Sequence, residues 1–181
     1  DPADESRTYK YNAYDLMRIE NGKVQEHWDY ALKMPGVRRG GGPNGTDFGA
    51  LEFNYSDAER ANIEIANVEF KDILQYGHVE LAEQVMAPGY IQHNPNVPTG
   101  RDGFVQFFSR FANPEPIRPE WKDEPELIIA SGPYVFYMFE RTLPDPDYAN
   151  STYPGFWFDM VRVEDGMIQE HWDSAMKNPP R

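Results

Sequence analysis

The sequence of 181 residues predicts a single α+β unit, in which helices come first along the chain and strands follow. Apolar residues make up 40% of the chain, which is enough for a hydrophobic core and excludes a wholly disordered protein. Helical apolar spacing is found between residues 57 and 111, and alternating strand patterns are found between 124 and 175. This order is typical of helices packed on one face of a largely antiparallel sheet.

The helical part of the sequence begins at a capping box, in which Ser56 is followed three residues later by Glu59. The apolar spacing then predicts a long helix to about Tyr76 and a second, short helix over residues 79–86. Thr99 is the predicted cap of a third helix. Four phenylalanines recur there at helical spacing, and we expect core residues rather than a ligand site: Phe104, Phe107, Phe108 and Phe111.

Strand-like patterns predict five extended segments, at residues 90–93, 124–130, 134–142, 156–163 and 168–175. The last two are joined by a turn that contains Gly166, which predicts a β-hairpin. Glu140 and Arg141 lie in the middle of a predicted strand, where we expect a solvated or interstrand ion pair.

The chain contains an internal repeat. Residues 8–35 align without gaps to residues 152–179, and 14 of the 28 positions are identical. Both copies predict a hairpin, and Asn21-Gly22 is the turn of the first copy. The sequence therefore divides into an extra hairpin at residues 1–36, a glycine-rich linker at 37–55 and one complete unit at 56–181.

Two accounts of the extra hairpin are open. It can be the end of a duplicated precursor whose first unit has been lost or cut away, or it can pair with a sheet edge in its own unit or a partner. Since a lone two-stranded hairpin is marginally stable in water, we expect it to dock.

Charge and composition exclude several classes of protein. The 30 acidic and 17 basic residues give a net charge of −13, which disfavours nucleic acid and anionic membranes as partners. The chain has no cysteine, so disulfides and thiolate chemistry are excluded. No apolar stretch has the roughly 18 residues of a membrane span. Because the four histidines lack metal-binding spacing, we expect no metal and no cofactor.

Three glycosylation patterns bear on the compartment. Asn44, Asn54 and Asn150 each begin an Asn-x-Ser/Thr sequence, and the sequence does not begin with Met. These features favour a secreted, processed glycoprotein. The alternative is a cytoplasmic protein in which these residues cluster in polar loops.

Two stretches carry a family resemblance. Residues 88–108 contain Tyr90-Ile91-Gln92-His93-Asn94-Pro95 followed by Gly-Arg-Asp-Gly-Phe, and residues 156–173 end in Gln-Glu-His-Trp-Asp. Over residues 60–178 the chain resembles the SnoaL-like polyketide cyclase branch of the nuclear transport factor 2-like superfamily. The resemblance implies a cone-shaped, curved antiparallel sheet wrapped around N-terminal helices, with a pocket at one end. It also implies pairing into a homodimer.

The resemblance implies aldol, cyclase or isomerase chemistry, which needs a base beside a carbonyl and a donor for the enolate. Asp159 is the candidate base, since it interrupts an apolar strand and matches the family's Phe-Asp-x-x-Arg motif. His93 is the candidate donor, with His171 or Asp173 assisting. Each of these residues also has a structural interpretation, as a hydrogen-bonding or capping group. Arg162 is expected to face away from Asp159 by strand alternation.

Aromatic residues on the strands are candidates for the wall of a ligand pocket, although they could equally fill the interior of the cone. The ligand-binding candidates are Tyr90, Trp121, Tyr137, Phe139, Trp157 and Trp172, with Tyr134 beside them. We therefore expect a protein that binds a small hydrophobic, carbonyl-bearing molecule and performs cofactor-free acid–base chemistry. The alternatives are a non-catalytic binding or scaffold protein and, with weaker support, water activation of the epoxide hydrolase type.

Overall fold

The computed structural model describes residues 4, 6–36 and 47–178 and confirms the predicted α+β fold. Seven strands and three α-helices are present in these residues. Strands β1 (Asp15–Glu20) and β2 (Lys23–Asp29) form a separate two-stranded sheet. The other five form one sheet, in the order β3–β7–β6–β5–β4.

Helix α1 (Asp57–Asn67) begins at the predicted capping box. The Glu59 amide donates to the Ser56 hydroxyl at 3.2 Å, and the Ser56 amide donates to the Glu59 carboxylate at 2.9 Å. The helix continues as a π-helical segment over Val68–Ile73. Gly77 follows with a φ of +83°, and a Cβ there would lie 2.8 Å from the backbone of Asn113. Only glycine fits at this turn.

The remaining helices are short. A 3₁₀ turn (Val79–Leu81) leads into α2 (Ala82–Val85), and α3 spans Arg101–Phe108. The prediction that Thr99 caps α3 is wrong, because its hydroxyl bonds the backbone of β3 and Gly100 occupies the cap position. Phe111 is exposed, because α3 ends before it.

The main sheet consists of β3 (Met86–Gln92), β4 (Leu127–Ser131), β5 (Tyr134–Pro144), β6 (Thr152–Glu164) and β7 (Met167–Asp173). Strands β4 to β7 are antiparallel neighbours, and β3 pairs with β7 in parallel. Strands β3 and β7 are neighbours in the sheet but not along the chain. After β3 the chain passes through α3 to the opposite edge at β4 and then returns strand by strand to β7.

The sheet separates two hydrophobic cores. Its inner face packs against the helices, through residues such as Phe70, Phe104 and Val161. Its outer face, which includes Met138 and Phe158, is covered by the β1–β2 hairpin and its flanking residues. The extra hairpin is therefore docked on its own unit.

Aromatic and polar contacts hold the hairpin there. Tyr14 stacks on Phe158 at 5.9 Å between ring centroids, and Tyr30 meets Trp157 edge-on at 5.4 Å. After β2, the Lys33 ammonium lies 2.7 Å from a carboxylate oxygen of Asp145. Of the predicted linker, residues 37–46 lie outside the described residues.

Within the described ranges, no helix combines the length and the apolar character that crossing a membrane requires. Asn54 and Asn150 are exposed, as glycosylation acceptors must be. Asn44 lies outside the described residues. Glycosylation at Asn54 or Asn150 remains a prediction.

Candidate functional site

A cavity of about 320 Å³ lies between the helices and the inner face of the sheet. One part of its wall is apolar and aromatic, and includes Phe70, Phe108, Phe139 and Trp157. The other part is polar and includes Gln92, Asn94, Asp123, Arg141, Asp159, His171 and Asp173. A small, largely apolar ligand with one or two polar atoms suits such a wall.

His171 is the centre of the polar wall. Its Nε2 lies 3.0 Å from Oδ1 of Asp159 on the neighbouring strand. Its Nδ1 lies 3.1 Å from the Tyr90 hydroxyl and 3.1 Å from Oε1 of Glu69. Strand alternation places these groups together, since Val161 is the cross-strand partner of His171 and faces the same side as Asp159.

Glu69 is a site residue that the sequence prediction missed. It is fully buried in the π-helical segment, and neither carboxylate oxygen has a partner in hydrogen-bond geometry. Its effect on His171 is therefore that of a nearby charge. The signal was its spacing from the buried residues Ala66 and Ile73, which places a carboxylate on the buried face of the helix.

The charge state of His171 follows from its neighbours. Burial alone would lower the pKa of the imidazole, but the carboxylates of Glu69 and Asp159 raise the pKa well above the usual 6.5. His171 is therefore an imidazolium at neutral pH.

The pH dependence of the folding free energy should reveal the charge on His171. Since the folded-state pKa of His171 exceeds its unfolded value, its stabilising contribution is complete below about pH 6.5 and is lost as pH rises through the folded-state pKa. We expect its ring protons, followed by NMR, to titrate well above pH 6.5. In the isosteric variant Glu69→Gln the His171 pKa should move back towards its usual value, and a His171 transition near pH 6.5 in the unsubstituted protein would contradict the assignment.

Asp173 is a positioning residue. Burial raises the pKa of its carboxyl, against the opposing effect of the His171 charge. Its Oδ2 accepts from the Asn94 amide at 2.6 Å, and its Oδ1 accepts from the Ala175 amide at 2.9 Å. Oδ2 thus holds the end of β7 against the loop after β3, whereas Oδ1 shapes the turn that follows β7.

The structure places His93 and Trp172 outside the cavity. They lie on the outer face of the sheet, where their rings stack at 4.7 Å between centroids, and His93 Nε2 is 3.0 Å from Glu170. This corrects both site predictions, because Gln92 takes the inward position at the end of β3. Arg162 also faces outwards, as expected, and pairs with Glu170 at 2.7 Å.

His93 provides a negative test of the site. For the proton exchange that the family resemblance implies, we expect His93→Ala to change the rate less than about two-fold, because the ring stacks on Trp172 on the opposite face of the sheet. His171→Ala serves as the positive counterpart, with exchange followed by NMR. A loss with His93→Ala as large as that with His171→Ala would contradict the placement.

The predicted aromatic residues divide into two groups. Phe139 and Trp157 line the cavity, and the Tyr90 hydroxyl borders it through His171. Tyr137 is fully buried and donates to Asn67 at 2.7 Å, while Trp121 packs beside it at 6.3 Å. Tyr137 and Trp121 fill the core instead.

Arg141 is the second residue that the structure moves into the site. Instead of pairing with Glu140, it contacts Asp123 and lines the cavity. The reason is that neighbouring strand residues point to opposite faces.

Two groups of described residues could hold a metal ion: the exposed Asp15, His27 and Asp29 of the first hairpin, and the buried Asp159, His171 and Asp173 of the site, which each have one ligand atom within 4.8 Å of the others. The hydrogen bonds of the buried group, between its own members and to Asn94, already engage these atoms. The expectation of no metal remains a prediction.

Comparison with known proteins gives a family match over residues 68–171, to the SnoaL-like domain. The chain is similar to a putative polyketide cyclase from Bacillus cereus ATCC 10987, at 23% identity over 62% of this chain and 72% of that chain, with a TM-score of 0.44. It is also similar to a putative SnoaL-like polyketide cyclase from Jannaschia sp. CCS1, at 17% identity over 67% and 90%, with a TM-score of 0.49. An LEH-like epoxide hydrolase from M. tuberculosis is 15% identical over 64% and 82%, with a TM-score of 0.45. No curated protein matches the chain.

Proposed function

Because the chain belongs to the SnoaL-like domain family, we propose that it is a cofactor-free acid–base enzyme. Its substrate is a small, largely apolar molecule that carries a carbonyl group, and the reaction is of the aldol, cyclase or isomerase type. The observation that carries the proposal is the pair of Asp159 and His171, which meet at 3.0 Å in the wall of an aromatic cavity.

In this proposal Asp159 is the base. Its Oδ1 is held by His171, and the carboxylate removes a proton from the carbon next to the substrate carbonyl. The imidazolium fixes the carboxylate in one orientation, in the way a third group orients a catalytic base. Asp159 then returns the proton either to another carbon, which isomerises the substrate, or, after the enolate has attacked a second carbonyl, to the new alkoxide oxygen.

The donor role falls to Arg141 rather than His93. Its guanidinium lines the same cavity as Asp159, and burial lowers its pKa against the opposing effect of that carboxylate. A cation aimed at the developing enolate oxygen is most effective in an apolar surrounding, which Phe139 and Trp157 supply.

One observation favours a second candidate, which is water activation for epoxide opening. Such chemistry needs two aspartates and an arginine in one pocket, and Asp123, Arg141 and Asp159 line this cavity. Arg162, the arginine that follows Asp159 on the same strand, faces away from the cavity and pairs with Glu170. The hydrogen-bond partner of Asp159 is nevertheless His171, which favours the proton-transfer chemistry.

Two probes separate the candidates. We expect the protein to accelerate exchange of the α-protons of 2-tetralone with D₂O, followed by NMR, and not to hydrolyse styrene oxide. Hydrolysis without exchange would favour water activation. Neither reaction above the buffer rate, across a panel of aryl ketones and epoxides, would favour a non-catalytic binding protein.

The homodimer is also a proposal. Family resemblance implied pairing through the open sheet face, and the hairpin covers the part of that face formed by Met138 and Phe158. Pairing would therefore use another part of the surface. Light scattering at micromolar concentration should give twice the mass of one chain, and a monomer mass would contradict the proposal.

A further inference from the structure

The two copies of the repeat have the same backbone. Met17 pairs with His27 in the first hairpin as Val161 pairs with His171 in the second, and both ladders contain a register shift after the arginine. The turn angles also match, with Gly22 and its counterpart both at a φ of 72°. The likeness of the sequences is therefore a likeness of structure.

The outward side chains repeat as well. In each hairpin an arginine on the first strand pairs with one glutamate two residues later and with another on the second strand. The pairs are Arg18 with Glu20 and Glu26, and Arg162 with Glu164 and Glu170.

The first hairpin also repeats the acid–base pair. His27 Nε2 lies 2.7 Å from Oδ1 of Asp15, and these are the same atoms that join His171 to Asp159 at 3.0 Å. The first pair is exposed, and the second is buried. The first hairpin thus carries a second copy of the Asp–His pair, which is the part of the site that lies on strands.

The corresponding apolar faces of the two hairpins differ in burial. Val161, Val163 and Ile168 are 0%, 3% and 0% exposed, because the helices cover them. Their counterparts Met17, Ile19 and Val24 are 49%, 65% and 56% exposed. The first hairpin therefore exposes to solvent the apolar face that the second hairpin buries inside the cone.

The strand edges of the first hairpin are uncovered as well. In the complete unit β5 borders β6 and β3 borders β7, whereas β1 and β2 pair only with each other among the described residues. Free edges and an exposed apolar face are both features that proteins usually cover. The complete unit shows what covers them, namely two strands and a helix.

We propose that the β1–β2 hairpin closes the cone of a second SnoaL-like unit that lacks its own last two strands, where Asp15 and His27 form a second acid–base pair. Such a unit supplies strands equivalent to β3 and β5 and a helix equivalent to the one that carries Glu69. A second copy of this chain is not the occupant, because its own sheet already contains β6 and β7 between β3 and β5. The chemistry of the pair rests on the proposed function, whereas closure of the cone does not.

The first experiment grafts the inner hairpin, residues 15–29, onto positions 159–173 of the full chain. Six substitutions achieve this: Met160→Leu, Val161→Met, Val163→Ile, Asp165→Asn, Met167→Lys and Ile168→Val. We expect the grafted chain to unfold cooperatively and to keep a raised pKa at His171. Loss of the fold, or an ordinary His171 pKa, would overturn the claim that this hairpin can close a cone.

A matched control separates closure from general stability. Ile19→Lys in the unsubstituted chain should leave the melting temperature unchanged, because the side chain is exposed. Lysine at the equivalent position 163 of the grafted chain should abolish folding. Equal effects at the two positions would overturn the proposal.

The second experiment tests binding. The full chain is expressed together with a tagged chain of residues 47–149, which lacks β6 and β7 and also the β1–β2 hairpin. We expect the tagged chain to be recovered in a complex with the full chain, and recovery to fall at least ten-fold when the full chain carries Ile19→Lys and Val24→Lys. No recovery, or equal recovery with both, would overturn the proposal. Since binding is measured without turnover, a failure of the proposed function leaves this result intact.

Discussion

Replacing Asp159 with asparagine should lower the rate of 2-tetralone proton exchange by about 10²–10⁴-fold, which is the usual contribution of a positioned general base. The amide keeps the shape of the side chain and its contact with His171, but it cannot accept the substrate proton. The substitution therefore removes the chemistry with little change in packing. Exchange is measured by NMR at saturating ketone.

The matched control is Asp165→Asn in the exposed turn of the same hairpin. Asn21 occupies the equivalent place in the first hairpin with nearly the same positive φ, so the substitution is tolerated by the backbone. It removes the same charge at an exposed turn beyond the end of β6, away from the cavity. If Asp159→Asn retains both the fold and the exchange rate, Asp159 is not the base.

Replacing Phe158 with alanine should destabilise the protein by about 3–5 kcal/mol, the usual cost of removing a large buried ring. The side chain is fully buried, and its ring lies 5.9 Å from Tyr14 and 5.7 Å from Phe136. It joins the outer face of the sheet to the hairpin, so its loss should also free the hairpin. Urea unfolding measures the first effect, and proteolysis within residues 6–36 measures the second.

Phe111→Ala is the control for this substitution. Its side chain is 68% exposed beyond the end of α3, and we expect a change within about 0.5 kcal/mol. A destabilisation below about 1 kcal/mol for Phe158→Ala, with no added proteolysis, would show that the hairpin does not depend on this core.

The strands of the site could be predicted in part, because period-two alternation fixes which side chains of one strand share a face. Alternation separates Arg162 from Asp159 and Trp172 from His171 and Asp173, but it leaves open which face of the last strand meets the cavity. The rule failed at His93 because the strand is short and its polar end carries no alternation to fix the face. Gln92 and His93 are both polar, and only the pairing with β7 decides which points inwards.

Glu69 shows a different limit. Strand alternation can identify an acid only on a strand, whereas Glu69 lies on a helix beside the same cavity. Helical spacing from Ala66 and Ile73 places it on the buried face, but its distance to His171 depends on how helix and sheet pack. Such a contact between distant parts of the chain cannot be obtained from local patterns.

The π-helical segment makes the orientation of Glu69 sensitive to the loss of a single residue. A π turn holds one more residue than an α turn, so deleting one residue within 68–73 would restore α-helical register. The flanking turns would keep their orientation, because the extra residue is accommodated within the π segment, and only residues inside that segment, Glu69 among them, would change direction. A single codon deletion could thus turn the Glu69 charge away from His171 while the helix persists.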